Sequence, residues 1–201
     1  NSGALGDITV NGDVGAAGAG RLGAVTITNA ENATFNGTVT AASFTQNAGA
    51  ATGTTTFEQL VDLSGAFAFT GQNLTINGAG DNAVGTTMTV TNAGTFTTAD
   101  TAALVVGNEF VQNGAGVNVI GGNITSTADG IAFATQITLQ GADAVVMTSA
   151  GGAGDDIVLG TDRTTDVLGA GQALTLNSGA LGDITVNGDV GAAGAGRLGA
   201  V

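Results

Sequence analysis

Residues 1–25, NSGALGDITVNGDVGAAGAGRLGAV, recur without a change as residues 177–201, an offset of 176 positions. Self-similarity at a fixed period limits the fold before any local pattern is read. A compact domain has no physical need for identical ends, whereas an excerpt of a tandem array has them as a matter of course. The duplication therefore predicts one full period over residues 1–176 and the opening of the next over 177–201, with Asn1 and Val201 as arbitrary cuts.

Within the period, apolar residues alternate with Thr or Asn at spacing two, which is the strand signature. Candidate strand cores fall at residues 8–10, 25–27, 43–45, 55–57, 67–69, 74–76, 88–90, 95–97, 104–106, 117–119, 131–133, 137–139, 145–147, 157–159, 174–176 and 184–186. Turn formers separate them: Asn-Gly begins at 11, 36, 77, 113 and 187, and Gly-rich runs cover 15–20, 78–80, 114–116 and 151–154. Short strands at such spacing imply an all-β chain, built either as a solenoid or as sandwiches. Asn-Gly marks tight hairpin turns, so tandem antiparallel β-sandwich repeats, two units of about 88 residues per period, are the competing reading.

Three features favour a parallel β-helix (β-solenoid) with coils of roughly 20–22 residues. VTITNA at 25–30 is echoed by MTVTNA at 88–93, and FTQNAGA at 44–50 by FVQNGAG at 110–116, each echo falling where a third further coil would. The strand cores are small or β-branched, with Phe as the sole aromatic. The echoes also set Asn29 against Asn92 and Asn47 against Asn113, as in side-chain amide ladders of stacked β-structure. The lack of proline fits a ladder in which every backbone N–H donates. At about 4.8 Å per coil, eight or nine coils would make a period of roughly 40 Å.

Composition restricts function. Only 9% of residues are charged, the net charge is −13, and the cations are Arg21, Arg163 and Arg197, the first and last being one repeat position. Nucleic acid and anionic membrane surfaces are thereby disfavoured, and no apolar run approaches the ~20 residues of a membrane span. With no His and no Cys, the usual general base and thiolate nucleophile are missing, so no enzyme is expected. The one carboxylate arrangement resembling a glycosidase pair is Asp155 with Asp162 or Asp166.

The sharpest local motif is GGAGDDIVL at 151–159, which fits a calcium-binding nonapeptide with Asp156 as the motif aspartate. The candidate hard-oxygen ligands are Asp155, Asp156 and Asp162, and the second half-site would have to come from Asp143, Asp155, Asp162 or Asp166 on neighbouring coils. A solvated Gly-rich turn accounts for the same residues. Thr-x-Thr phrases at 26/28, 38/40, 54/56, 87/89, 89/91, 95/97 and 125/127 suggest an outward hydroxyl array able to meet ice or a glycan. The eight Phe residues are expected in the core, thinning towards the Asp-rich end, and Arg21 and Arg197 are expected to pair with Asp13 and Asp189.

The phrases LTLNSGALGDITVNG at 174–188, LGAVTITNA at 22–30 and ATFNGTVTAASFTQNAG at 33–49 resemble the long repeats of filamentous-haemagglutinin-like and autotransporter-type bacterial surface proteins. The resemblance implies a right-handed parallel β-helix, secretion to the cell surface, and structural or adhesive work. The expected function is a structural module of a giant extracellular fibre whose periods stack head to tail, its partner being the adjacent repeat. The alternative is an adhesin module that binds glycan, a host surface or ice, with calcium as its one candidate cofactor.

Overall fold

The computed structural model describes Gly3 and residues 6–47 and 52–191. Its strands wind a parallel β-solenoid in which each turn lays down rungs on three faces. The first turn carries β1 (Ile8–Val10) and β2 (Leu22–Ile27), and the second β3 (Ala33–Phe35) and the long β4 (Val39–Gln46). Then come β5 (Thr54–Phe57), β6 (Val61–Leu63) and β7 (Phe67–Gly71), followed by β8 (Asn73–Ile76), β9 (Gly80–Val84) and β10 (Met88–Asn92). The middle turns hold β11 (Thr95–Thr98), β12 (Ala102–Val106) and β13 (Phe110–Gln112), then β14 (Val117–Ile120), β15 (Ile124–Ser126) and β16 (Ile131–Phe133). The last hold β17 (Ile137–Leu139), β18 (Val145–Thr148) and β19 (Ile157–Leu159), then β20 (Val167–Leu168), β21 (Leu174–Asn177) and β22 (Ile184–Val186).

The first face stacks β1, β3, β5, β8, β11, β14, β17 and β20 in that order. The second and third faces form one sheet because β4 bends across their corner. Its Val39–Ala41 segment pairs with β6 on the second face, and Phe44–Gln46 pairs with β7 on the third. All strand pairs among the described residues are parallel, so the sandwich alternative and its hairpins are overturned. The Asn-Gly pairs sit at corners instead. A Cβ on Gly37 would strike the Gly12–Asp13 backbone one turn above, and one on Gly78 would strike Gln59. These corners need glycine for close approach of backbones rather than for a positive φ.

The turns are unequal in length. Successive register partners on the first face are Thr9, Thr34, Thr56, Thr75, Thr97, Val119, Thr138 and Leu168, so the opening turn is long and the last is longest. Both echoes span three turns: Val25, Phe44, Phe67 and Met88 share one inward column, which continues to Phe110. Residues in register three turns apart cannot touch, so the expected Asn29–Asn92 and Asn47–Asn113 ladders do not form. Side-chain bonds between turns arise elsewhere, from Asn36 Nδ2 to Asn11 Oδ1 at 3.0 Å and from Gln112 Nε2 to Asn92 Oδ1 at 2.7 Å. The two long turns also lower the count, and a period spans seven and two-thirds turns rather than eight or nine.

Alternation directs one side of every rung inward, and all eight Phe residues are buried there. Phe35 stacks on Phe57 at 5.0 Å between ring centroids, Phe44 on Phe67 at 5.0 Å, and Phe110 meets Phe133 at 5.0 Å. Such pairs add about 0.5–1.5 kcal/mol beyond the apolar area they bury. Below Phe133 the inward positions belong to smaller residues such as Ile157, Leu159, Val167 and Leu174, as the thinning of Phe along the sequence implies.

Candidate functional surface

The first face presents an outward file that single-residue reading does not reveal. Thr9, Thr34, Thr56, Thr75 and Thr97 are consecutive register partners, and the file continues through Val119 to Thr138. Thr54, Asn73, Thr95 and Val117 project beside it on the same rungs, preceded by Asn32. From Asn32 to Val119 neither column contains a charged residue, in a chain of net charge −13. Hydroxyls in the main file repeat at the rung spacing of about 4.8 Å.

The amides in the second column hold that face in place. Asn32 Oδ1 accepts the Thr54 N–H at 3.0 Å, and Asn73 Oδ1 accepts the Thr95 N–H at 2.9 Å. The third face has no comparable file, since its outward column runs Thr26, Thr45, Ala68, Thr89, Val111 and Ala132. Of the Thr-x-Thr phrases, only 54/56 and 95/97 lie on the first face. The file joins Thr56 and Thr97 of those phrases to the lone threonines Thr9, Thr34, Thr75 and Thr138, each between two inward residues.

The acidic residues proposed as calcium ligands are divided between two corners. Asp155 and Asp156 lie between β18 and β19, whereas Asp162 and Asp166 lie between β19 and β20, at the other end of the third face. Asp155 Oδ2 accepts the Gly152 N–H, and Asp156 Oδ1 accepts the Asp183 N–H one turn below at 2.8 Å. Asp162 Oδ1 accepts both the N–H and the hydroxyl of Thr164, and those bonds hold its carboxyl below the usual range. Asp166 Oδ1 accepts the Asp189 N–H at 3.0 Å, and Asp143 is exposed on the loop before β18. Among the described residues no three of His, Cys, Asp or Glu gather as a metal site would require.

The Asp156 and Asp166 contacts follow a rule that sequence spacing does not disclose. At corners, an Asp or Asn oxygen accepts an N–H from the next turn, carrying the ladder where backbone pairing lapses. Asp13 with Thr38, Asn123 with Val146, and Asp156 with Asp183 are examples, each at 2.8 Å. Ser126, Ser149 and Ser178 form a buried column at the corner of the second and third faces. Each donates to a carbonyl of the loop that follows it: Asp129 O, Asp155 O and Gly182 O respectively. The local signal is a serine directly after, or at the end of, a strand.

Arg21 does not pair with Asp13. It reaches down two turns to Asp62, 2.7 Å from Oδ2, and also donates to the carbonyls of Ala41 and Asp62. Asp13 is already engaged by Thr38, which leaves the deeper carboxylate as the partner. Arg197 lies outside the described residues, and the N–H of Asp189 serves Asp166. Burial, aided by the nearby Asp129 charge, raises the Glu109 carboxyl above its ordinary value.

The two ends of the stack leave strand edges unpaired among the described residues. Exposed apolar side chains gather there: Leu22 at the upper end, and Leu181, Ile184 and Val190 at the lower. No protein-family model, no curated protein and no solved structure matches this chain.

Proposed function

We propose that this chain is a structural module of an extracellular, cell-surface fibre, in which periods of this sequence stack end to end as one continuous solenoid. The observation carrying the proposal is that the second copy of the repeat continues the stack. Its Ile184-Thr185-Val186 rung pairs in parallel beneath β19, and Val190 bridges Val167. The opening of a new period is thus accepted by the old one through the same backbone ladder. Unpaired parallel edges with exposed Leu and Ile favour addition of further rungs. The likeness in phrasing to filamentous-haemagglutinin-like repeats supports the same reading, including secretion to the surface. The work is mechanical, with no catalytic step assigned.

Fibre diffraction and electron microscopy test this reading. Expected are filaments with a meridional spacing of about 4.8 Å along the long axis. Particles of fixed length at all concentrations, with no such reflection, would overturn it.

The uncharged Thr/Asn face favours a second reading, an adhesin module for an uncharged polyhydroxylated surface such as glycan, or for ice. Glycan-array binding or thermal hysteresis that is lost in Thr56→Lys would support it. Neither signal from the unaltered chain would remove it.

A further inference from the structure

The two copies of the duplicated segment occupy different faces. In the first copy, Ile8-Thr9-Val10 tops the first face over Ala33, Thr34 and Phe35. In the second, Ile184-Thr185-Val186 lies on the third face beneath Ile157, Val158 and Leu159. The following rung shifts with it: Val14 bridges Val39 of the second face, whereas Val190 bridges Val167 of the first. From Ile8 the chain makes seven turns to reach Val167 and crosses two more faces to reach Ile184, so a period is 23 faces and not 24.

The fold tolerates this because the first and third faces offer this rung the same seat: two inward apolar neighbours around one outward residue. The phrase Ile-Thr-Val fits it above Ala33 and Phe35 as well as beneath Ile157 and Leu159. Contacts within a period travel with it, since they depend only on sequence separation. Only the seam between periods sees a different neighbour.

We infer that successive periods of a tandem chain join one face short of a whole number of turns, so that each period's surface reappears on the preceding face of the next. This rests on the fibre reading above. The neutral threonine file, on the first face here, would continue on the third and then on the second. Its first member in the new period, Thr185, already stands beneath Val158. Three periods and 23 turns, roughly 110 Å, restore the starting face. The interface is therefore the lower edge of the last turn, and its partner is another period of this sequence seated with a one-face offset.

The chain has no cysteine, so introduced pairs report register without interference. Adjacent parallel rungs hold Cα atoms about 4.8 Å apart, within reach of a disulfide. Under mild oxidation, V158C/T185C is expected to give an intramolecular crosslink in most molecules, and L168C/T185C little or none. T56C/T75C, in register on the first face, shows the extent that a formed rung pair reaches. Crosslinking of the Leu168 pair in place of the Val158 pair would put both copies on one face and overturn the offset. Failure of both pairs would mean that the second copy is not stacked, and overturns it equally. Microscopy of the same variants separates the two ideas: filaments with the Leu168 crosslink keep the fibre and sink the offset, and the Val158 crosslink without filaments does the reverse.

Discussion

The turns between Ala33 and Phe133 and those below Ile137 solve the same packing problem with different means. In the upper body, first-face rungs follow one another closely along the chain, corners are tight, and Phe rings from neighbouring turns stack through the interior. The turn from Ile137 to Val167 is the longest, has no aromatic in its inward positions, and carries loops at two corners. Its cohesion comes from smaller aliphatic columns, the Ser149 and Ser178 bonds, and aspartates that accept N–H groups from the turn beneath. Because each turn touches only its neighbours, stability is local, and the two regions can differ in it. The aromatic body is expected to be the firm part and the acidic end the part that opens first.

The strongest challenge to that contrast is a pair of core truncations. Phe57→Ala removes a ring in contact with Phe35, Phe44 and Phe67, and is expected to cost about 3–5 kcal/mol. Leu159→Ala should cost about 2–5 kcal/mol, but with its damage confined to the lower turns. Hydrogen exchange would show protection lost around 157–186 in the Leu159 variant while the Phe-rich turns keep theirs. Uniform loss throughout both variants would abolish the two-region picture.

Polar truncations give the next largest effect. Asn82 is buried in the upper body, where its Oδ1 accepts the Val61 N–H and its Nδ2 donates to the Gly78 and Ala103 carbonyls. Asn82→Ala leaves those groups unpaired and should cost about 1–3 kcal/mol in chemical denaturation. Ser149→Ala forfeits one bond at a corner, about 1 kcal/mol, with faster exchange limited to the 149–156 loop. Equal costs would mean that corner bonds in the acidic end matter as much as core ones above.

Arg21→Ala should lower stability by about 1 kcal/mol or less, because both members of its pair remain partly exposed. The difference should shrink with added salt. Glu109 supplies the smallest effect. Its carboxyl is raised in the folded chain, so the folded state holds the proton more tightly than the unfolded one. Stability from that site is therefore present below the unfolded value near 4.5 and lost as pH rises through the folded value. Glu109→Gln should raise the melting temperature slightly at neutral pH and leave it unchanged well below pH 4.5. A gain that persisted in acid would trace to something other than charge.

Much of this architecture can be read from alternation alone. Each of the sixteen candidate strand cores lies within an observed strand, and both sequence echoes report three turns correctly. Some of the rungs that this reading misses break the apolar pattern. β9 turns Asn82 inward, β13 ends on buried Gln112 and β15 on buried Ser126, whereas β6 keeps the alternation with Asp62 in place of Thr or Asn. The threonine file is hidden for another reason: its members Thr9, Thr34, Thr56, Thr75 and Thr97 are unevenly spaced, so no single period finds them. The nonapeptide motif suggests calcium, yet its aspartates serve separate hydrogen bonds, and such engagement depends on the neighbouring turn. The face a rung occupies is likewise invisible locally, since it depends on how many corners the chain has already turned.

The ladder bonds all run along the stacking direction, with the covalent chain wound around it. A load applied along that direction does not shear these bonds together but opens them one rung at a time, as a zipper opens. Each turn released frees roughly 65–105 Å of contour while giving up only about 5 Å of stacked length. A tether of this build would yield at modest force in many small steps and absorb work over a length many times its own. Single-molecule stretching would record that as a sawtooth, with its wider teeth from the acidic end.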